Sequence, residues 1–106
     1  MRSFLYNLDA NGRETFEIPA SDHVDCYALA AGVPKAVTVP APARHVFFSA
    51  TGDFFARFGG PAAIPAGDIT NGSASEVNPT QRELDSIQTI GLVAPFDCTV
   101  SLAWYA

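Results

Sequence analysis

The side chains in this sequence that could bind a metal or attack a substrate gather in one short stretch, Ser21-Asp22-His23-Val24-Asp25-Cys26. His45 is the second imidazole and Cys98 the second thiol. Imidazole, carboxylate and thiolate are the ligand types of zinc and related ions. A zinc site, however, draws paired ligands at steps of roughly two to four residues from both of its halves, and His45 has no such companion. The stretch therefore reads as a solvated turn, and no metal is expected.

A Cys nucleophile with a His base needs its thiol on an activating turn or helix start. Neither Cys26 nor Cys98 carries a local signature for one. A Ser-His-Asp triad would lack the Gly-x-Ser-x-Gly elbow, and the scattered glycines match neither the dinucleotide fingerprint nor the phosphate-binding loop. Asn71-Gly72-Ser73 has the form of a glycosylation acceptor but reads as a turn. The expectation is a protein that is not an enzyme and carries no cofactor.

The elements that must hold these residues are strands. Asn11-Gly12 suits a tight turn between alternating Phe4, Tyr6, Leu8 and Phe16, Ile18, so an N-terminal hairpin is expected within residues 1–35. His23 to Ala30 and Lys35 to Val39 read as extended, although the Ala-rich piece from Tyr27 to Ala31 could turn helical. Arg44 to Thr51, the turn Gly52-Asp53 and Phe54 to Phe58 read as the strongest hairpin of the chain. Val46 and Phe48 lie on one face with His45, Phe47 and Ser49 on the other; on the return strand Phe54, Ala56 and Phe58 oppose Phe55 and Arg57.

From Gly59 to Asn78 loops are expected, with room for one short strand. Asn78-Pro79 followed by Thr80 to Glu83 suits one turn of helix. Ile87 to Val93 is a further strand. Cys98 to Tyr105 alternates cleanly, with Cys98, Val100, Leu102 and Trp104 inward and Thr99, Ser101, Ala103 and Tyr105 outward. Ala-Pro pairs at Pro42 and Pro95 each sit between two strands, a spacing in keeping with two packed sheets.

About seven or eight short strands with turn signals every ten residues or so indicate an all-β chain, a small β-sandwich or jelly-roll-like domain with Gly/Pro-rich loops. At 106 residues it is one domain, residues 1–35 forming the hairpin or arm and 36–106 the sandwich core. A net charge of −5 is the wrong sign for a nucleic-acid partner. No apolar run approaches the roughly 20 residues of a spanning helix, and Asp9 interrupts any export signal. Without export, Cys26 and Cys98 are expected as two buried free thiols, a disulfide being the alternative.

Charged residues are only 16% of the chain, which leaves uncharged surface for contact. Phe47-Phe48 and Phe54-Phe55 set aromatics on both faces of the central hairpin, and one face then needs a partner. Phe47, Phe55, Arg57 and an exposed Tyr105 are the interface candidates, since aromatics and arginine are enriched at interfaces.

The segments Phe47-Phe48-Ser49-Ala50-Thr51-Gly52-Asp53-Phe54-Phe55-Ala56-Arg57, Ser75-Glu76-Val77-Asn78-Pro79 and Ile90-Gly91-Leu92-Val93-Ala94-Pro95 resemble small virion structural proteins of tailed bacteriophages and prophages, across roughly residues 36 to 106. The resemblance implies a capsid decoration, or cement, protein. Such a protein is made in the bacterial host cytoplasm and found in the virion, where it binds capsomer junctions of the major capsid protein as a homo-oligomer such as a trimer. A head–tail connector or fibre-associated component is the related alternative. A small carbohydrate-binding β module, stacking on Trp104, Tyr105 and Tyr27, is the alternative of a different class.

Overall fold

A computed structural model of the protein describes residues 1–3 and 19–106. The hairpin expected around Asn11-Gly12 lies outside the described residues. Eight strands follow from residue 24 onward: β1 Val24–Leu29, β2 Lys35–Thr38, β3 His45–Ala50, β4 Phe55–Phe58, β5 Glu76–Val77, β6 Gln81–Glu83, β7 Thr89–Val93 and β8 Cys98–Tyr105. They form two antiparallel four-stranded sheets, ordered β1-β8-β3-β6 and β2-β7-β4-β5. The described residues contain no helix, so the chain is all-β there.

Period-two patterning explains which faces meet. Leu29, Val46, Phe48, Val100, Leu102 and Trp104 of the first sheet and Val37, Ala56, Ile90 and Leu92 of the second are buried in one shared cluster. Phe48 reaches across it to Phe54 and Phe58, with ring centroids 5.7 and 6.0 Å away. Burying such side chains contributes roughly 1.5–3 kcal/mol each before chain entropy is set against it. β8 alternates as expected and holds the centre of its sheet, between β1 and β3.

The central hairpin is corrected. β3 pairs with β8 and β6, whereas β4 pairs with β7 and β5, so the two strands belong to opposite sheets. The turn at 51–54 carries the chain across the core instead of folding it back within a layer. Each strand keeps the faces its sequence assigns, because Val46 and Phe48 look into the core from one sheet and Phe54, Ala56 and Phe58 from the other. An alternating pattern specifies a buried face and leaves the neighbour on either edge open.

Two local expectations also change. Tyr27 to Leu29 stay extended in β1, which zips along β8 from Val24↔Ala103 to Leu29↔Cys98. The helical turn after Asn78 is absent, since Gln81–Glu83 pair with β3 as β6. Asn78, at φ 47°, turns its side chain back to accept the Phe54 N–H at 2.9 Å, so it serves the neighbouring turn and caps no helix. The short strand allowed between Gly59 and Asn78 is β5.

Each flank of the two-sheet body carries a cation that links the sheets. On one side Lys35 of β2 donates to the Ala28 carbonyl at 2.9 Å and lies 5.9 Å over the Tyr27 ring. On the other, Arg82 of β6 donates through Nε and Nη2 to Glu76 of β5, at 3.2 and 3.0 Å. Segment 60–62 crosses the outer face of the second sheet over Gly91. A Cβ there would stand 2.5 Å from the Gly60 carbonyl oxygen and from the Ala62 nitrogen.

Candidate functional site

Four connections meet at one end of the molecule: 30–34, 51–54, 78–80 and 94–97, joining β1 to β2, β3 to β4, β5 to β6 and β7 to β8. Two of them are laced together. Ala31 bridges Ala94, the Gly32 N–H donates to the Ala94 carbonyl at 2.7 Å, and the Ala31 N–H donates to Asp97 Oδ1 at 2.8 Å. Phe96 projects from this scaffold with 79% of its surface exposed, and Val33 on the adjoining loop is 56% exposed. The bonded backbone on either side of this large apolar ring leaves less main-chain freedom to lose on binding.

Beside them lies a shallow cleft of about 460 Å³ lined by Leu29, Thr51, Asp97, Cys98 and Thr99. A second, of about 340 Å³, is bounded by Phe48, Thr51, Asp53, Phe54 and Asn78. Asn78 Nδ2 donates to Asp53 Oδ1 at 3.0 Å, which ties the second cleft's rim together. Cys98 donates weakly to the Asp53 carbonyl at 3.8 Å. Desolvation, followed by the charges of Asp53 and Asp97, pushes its thiol above the usual cysteine range. A thiol so placed stays protonated and is a poor nucleophile.

The polar stretch at residues 21–26 is spent on structure. Ser21 Oγ shares its one proton between the carbonyls of Trp104 and His23, at 2.7 and 2.9 Å, and accepts the His23 N–H. Asp25 Oδ2 accepts the Trp104 indole N–H at 2.9 Å and stands 3.5 Å from His23 Nε2. His45 does not join them. It lies opposite Tyr105 while His23 lies opposite Trp104, and successive residues of a strand point to opposite faces. Among the described residues no group of three or more His, Cys, Asp or Glu is placed to hold a metal.

Cys26 and Cys98 are both free, but neither is buried: Cys26 is exposed and Cys98 half-buried. Cys26 pairs with Ser101 and Cys98 with Leu29, three positions apart along β1 and β8. That odd offset sends the two thiols to opposite faces and rules out a bridge between them within one chain.

The four interface candidates fall on opposite sides of the molecule. Phe47 and Tyr105 lie on the outer face of the first sheet, with ring centroids 5.4 Å apart. Phe55 and Arg57 lie on the outer face of the second, Phe55 between Val77 and Val93 and Arg57 against Gly60. Tyr105 was expected to be exposed and is buried, its hydroxyl donating to the Pro19 carbonyl at 2.6 Å. Alternation assigns it an outward direction but says nothing of what covers it.

The carbohydrate alternative loses two of its three stacking rings, since Trp104 and Tyr105 are both buried. Phe96 and Val33 were missed. The available signal was an aromatic between Pro95 and Asp97, two turn formers that place it at a loop tip. Compared with protein-family models, curated proteins and solved structures, the chain matches none.

Proposed function

We propose that this protein is a structural subunit of a phage virion, a capsid decoration protein that docks through its four-loop end. The observation that carries the reading is the projecting apolar pair Phe96 and Val33. An aromatic held outward on a bonded turn suits insertion into a pocket of a protein partner, here the junctions of major capsid subunits. Nearby Asp53 and Asp97 favour a pocket with a basic rim.

The architecture supports the same class. Six of the seven connections cross between sheets, giving the orders β1-β8-β3-β6 and β2-β7-β4-β5. We read this wrapped order as a jelly roll, an arrangement used by viral capsid domains as well as by lectins and cupins. The engagement of Ser21, His23 and Asp25 by the backbone and by Trp104 favours a binding role over catalysis.

Particles purified from the host that encodes the chain are expected to contain it in fixed stoichiometry by mass spectrometry. Shells stripped of it should rebind the wild type, and Phe96→Ser should weaken rebinding at least about tenfold with circular dichroism unchanged. Absence from particles, or rebinding indifferent to Phe96, overturns the reading.

A further inference from the structure

We propose that the open edge of β1 is a homodimer seam, in which two copies of the chain pair their β1 strands antiparallel about a two-fold axis through Cys26. Among the described residues the two sheets have four edge strands. β5, β6 and β2 run for two, three and four residues, whereas β1 runs for six. Short edges offer little template for another strand, and long flat ones offer much. The seam depends on β1 alone and does not require a virion role.

The hydrogen bonding shows which groups of β1 face outward. Trp104 N–H donates to the His23 carbonyl at 2.9 Å. In an antiparallel ladder this makes His23, Asp25, Tyr27 and Leu29 the residues that exchange bonds with β8. The peptide groups of Val24, Cys26 and Ala28 then point away from the sheet. Among the described residues, Lys35 at the Ala28 carbonyl guards one end of this edge, so at each end of a two-fold seam one lysine must yield that carbonyl to the second copy. The strand has no proline, and its register with β8 is unbroken by a bulge.

Charge selects the register. Residues 24, 26 and 28 must meet their equivalents for bonds to form. Setting Val24 against Cys26 of the second copy would oppose Asp25 to Asp25, a like-charge pair. Setting Cys26 against Cys26 opposes Asp25 to Tyr27 and engages all three outward residues. The side chains carried across the axis are small and uncharged. Val24, Cys26 and Ala28 continue the rows of Ala103, Ser101 and Thr99, and Val24 is 55% exposed. The result is an isologous contact joining two sheets of four strands into one of eight.

Sedimentation of the purified chain up to about 1 mM is expected to show a concentration-dependent dimer. Oxidation with copper–phenanthroline supplies a covalent readout. Two Cys26 thiols lose two protons and two electrons, taken up by copper(II) and oxygen, and one S–S bond forms. Directly opposed Cα atoms about 5.5 Å apart fall within the Cα span that a disulfide bridges.

Cross-linking should survive Cys98→Ser and vanish in Cys26→Ser. Val24→Pro, a substitution an edge strand tolerates, should lower both dimer fraction and cross-linking rate at least about tenfold with circular dichroism unchanged. Cys26→Asp, which sets two carboxylates face to face at the axis, is the second block should the proline variant not fold. Lys35→Met, which uncovers the Ala28 carbonyl, should raise the dimer fraction. A monomer throughout the range, or cross-linking of folded Val24→Pro at the wild-type rate, as random collision of exposed thiols would give, overturns the proposal.

Discussion

Replacing Gly91 by alanine tests the outer layer of the second sheet, because two physical effects oppose one another there. In an ordinary strand the change would stabilise by roughly 0.5–1 kcal/mol, since glycine gives up more backbone freedom on folding. Here the new Cβ would stand 2.5 Å from the Gly60 oxygen and the Ala62 nitrogen and 3.0 Å from the Pro61 carbonyl carbon. All three are backbone atoms, so no side-chain rotation relieves the clash. Either the sheet and the 60–62 segment strain apart, at about 1–3 kcal/mol, or the segment lifts off.

Lifting has its own cost. Ala62 and Val93 are buried but stand outside the central cluster, and Val93 shares the outer face with Gly91. Re-exposing one Val side chain alone costs about 1.5–3 kcal/mol. The cheaper route, near 2 kcal/mol, still outweighs the backbone gain, and a net loss near 1 kcal/mol is expected, or about 4–8 °C in Tm for a domain of this size. Urea denaturation and calorimetry would measure it, and hydrogen exchange across residues 59–64 would distinguish lifting from strain. Gly67→Ala is the control, for a Cβ there meets nothing within 4 Å, and it should be neutral or stabilising by up to about 1 kcal/mol. A Gly91→Ala protein as stable as the wild type would refute the argument.

Asp25→Ala removes the acceptor of the buried Trp104 indole N–H and should cost about 1–3 kcal/mol, read by urea denaturation followed through tryptophan fluorescence. Burial, and secondarily the charge of Asp25, raise the Tyr27 phenol above its ordinary value of 10.0. The folded state holds that proton more tightly than the unfolded chain, so its contribution is complete below pH 10.0 and fades as pH rises through the folded value. An alkaline stability profile that is flatter for Tyr27→Phe would show it, and identical profiles would contradict it. Asp22 accepts the Arg2 N–H at 3.0 Å, chiefly for which its carboxyl titrates below 3.8, and NMR titration should place its midpoint there. With iodoacetamide near neutral pH, exposed Cys26 should be alkylated well before Cys98, whose thiol is held protonated.

The sequence by itself determined the longer strands and their buried faces, but not β6, whose Gln81–Glu83 carry no alternating apolar pattern. Alternation of Val46 and Phe48, of Phe54, Ala56 and Phe58, and of Val100, Leu102 and Trp104 is a property of neighbouring residues, and a period of two has one physical solution once half the side chains must leave water. Which edges pair is a long-range matter. Thr51 to Phe54 could turn within a sheet or across the core, and only the competition of β8 for β3 and of β7 for β4 decides it.

Covering was likewise decided by tertiary structure. Tyr105 points outward by pattern yet is buried, with Phe47 against its ring and its hydroxyl donating to the carbonyl of Pro19, far away in sequence. Gly91 reads as a weak point in a strand and proves to be the place where another backbone comes close. Phe96, which hydrophobicity alone would send inward, stays in water because Pro95 and Asp97 hold it at a turn between two sheets. Local pattern fixes the direction of a side chain relative to its own strand; what lies in that direction is set by residues the pattern does not contain.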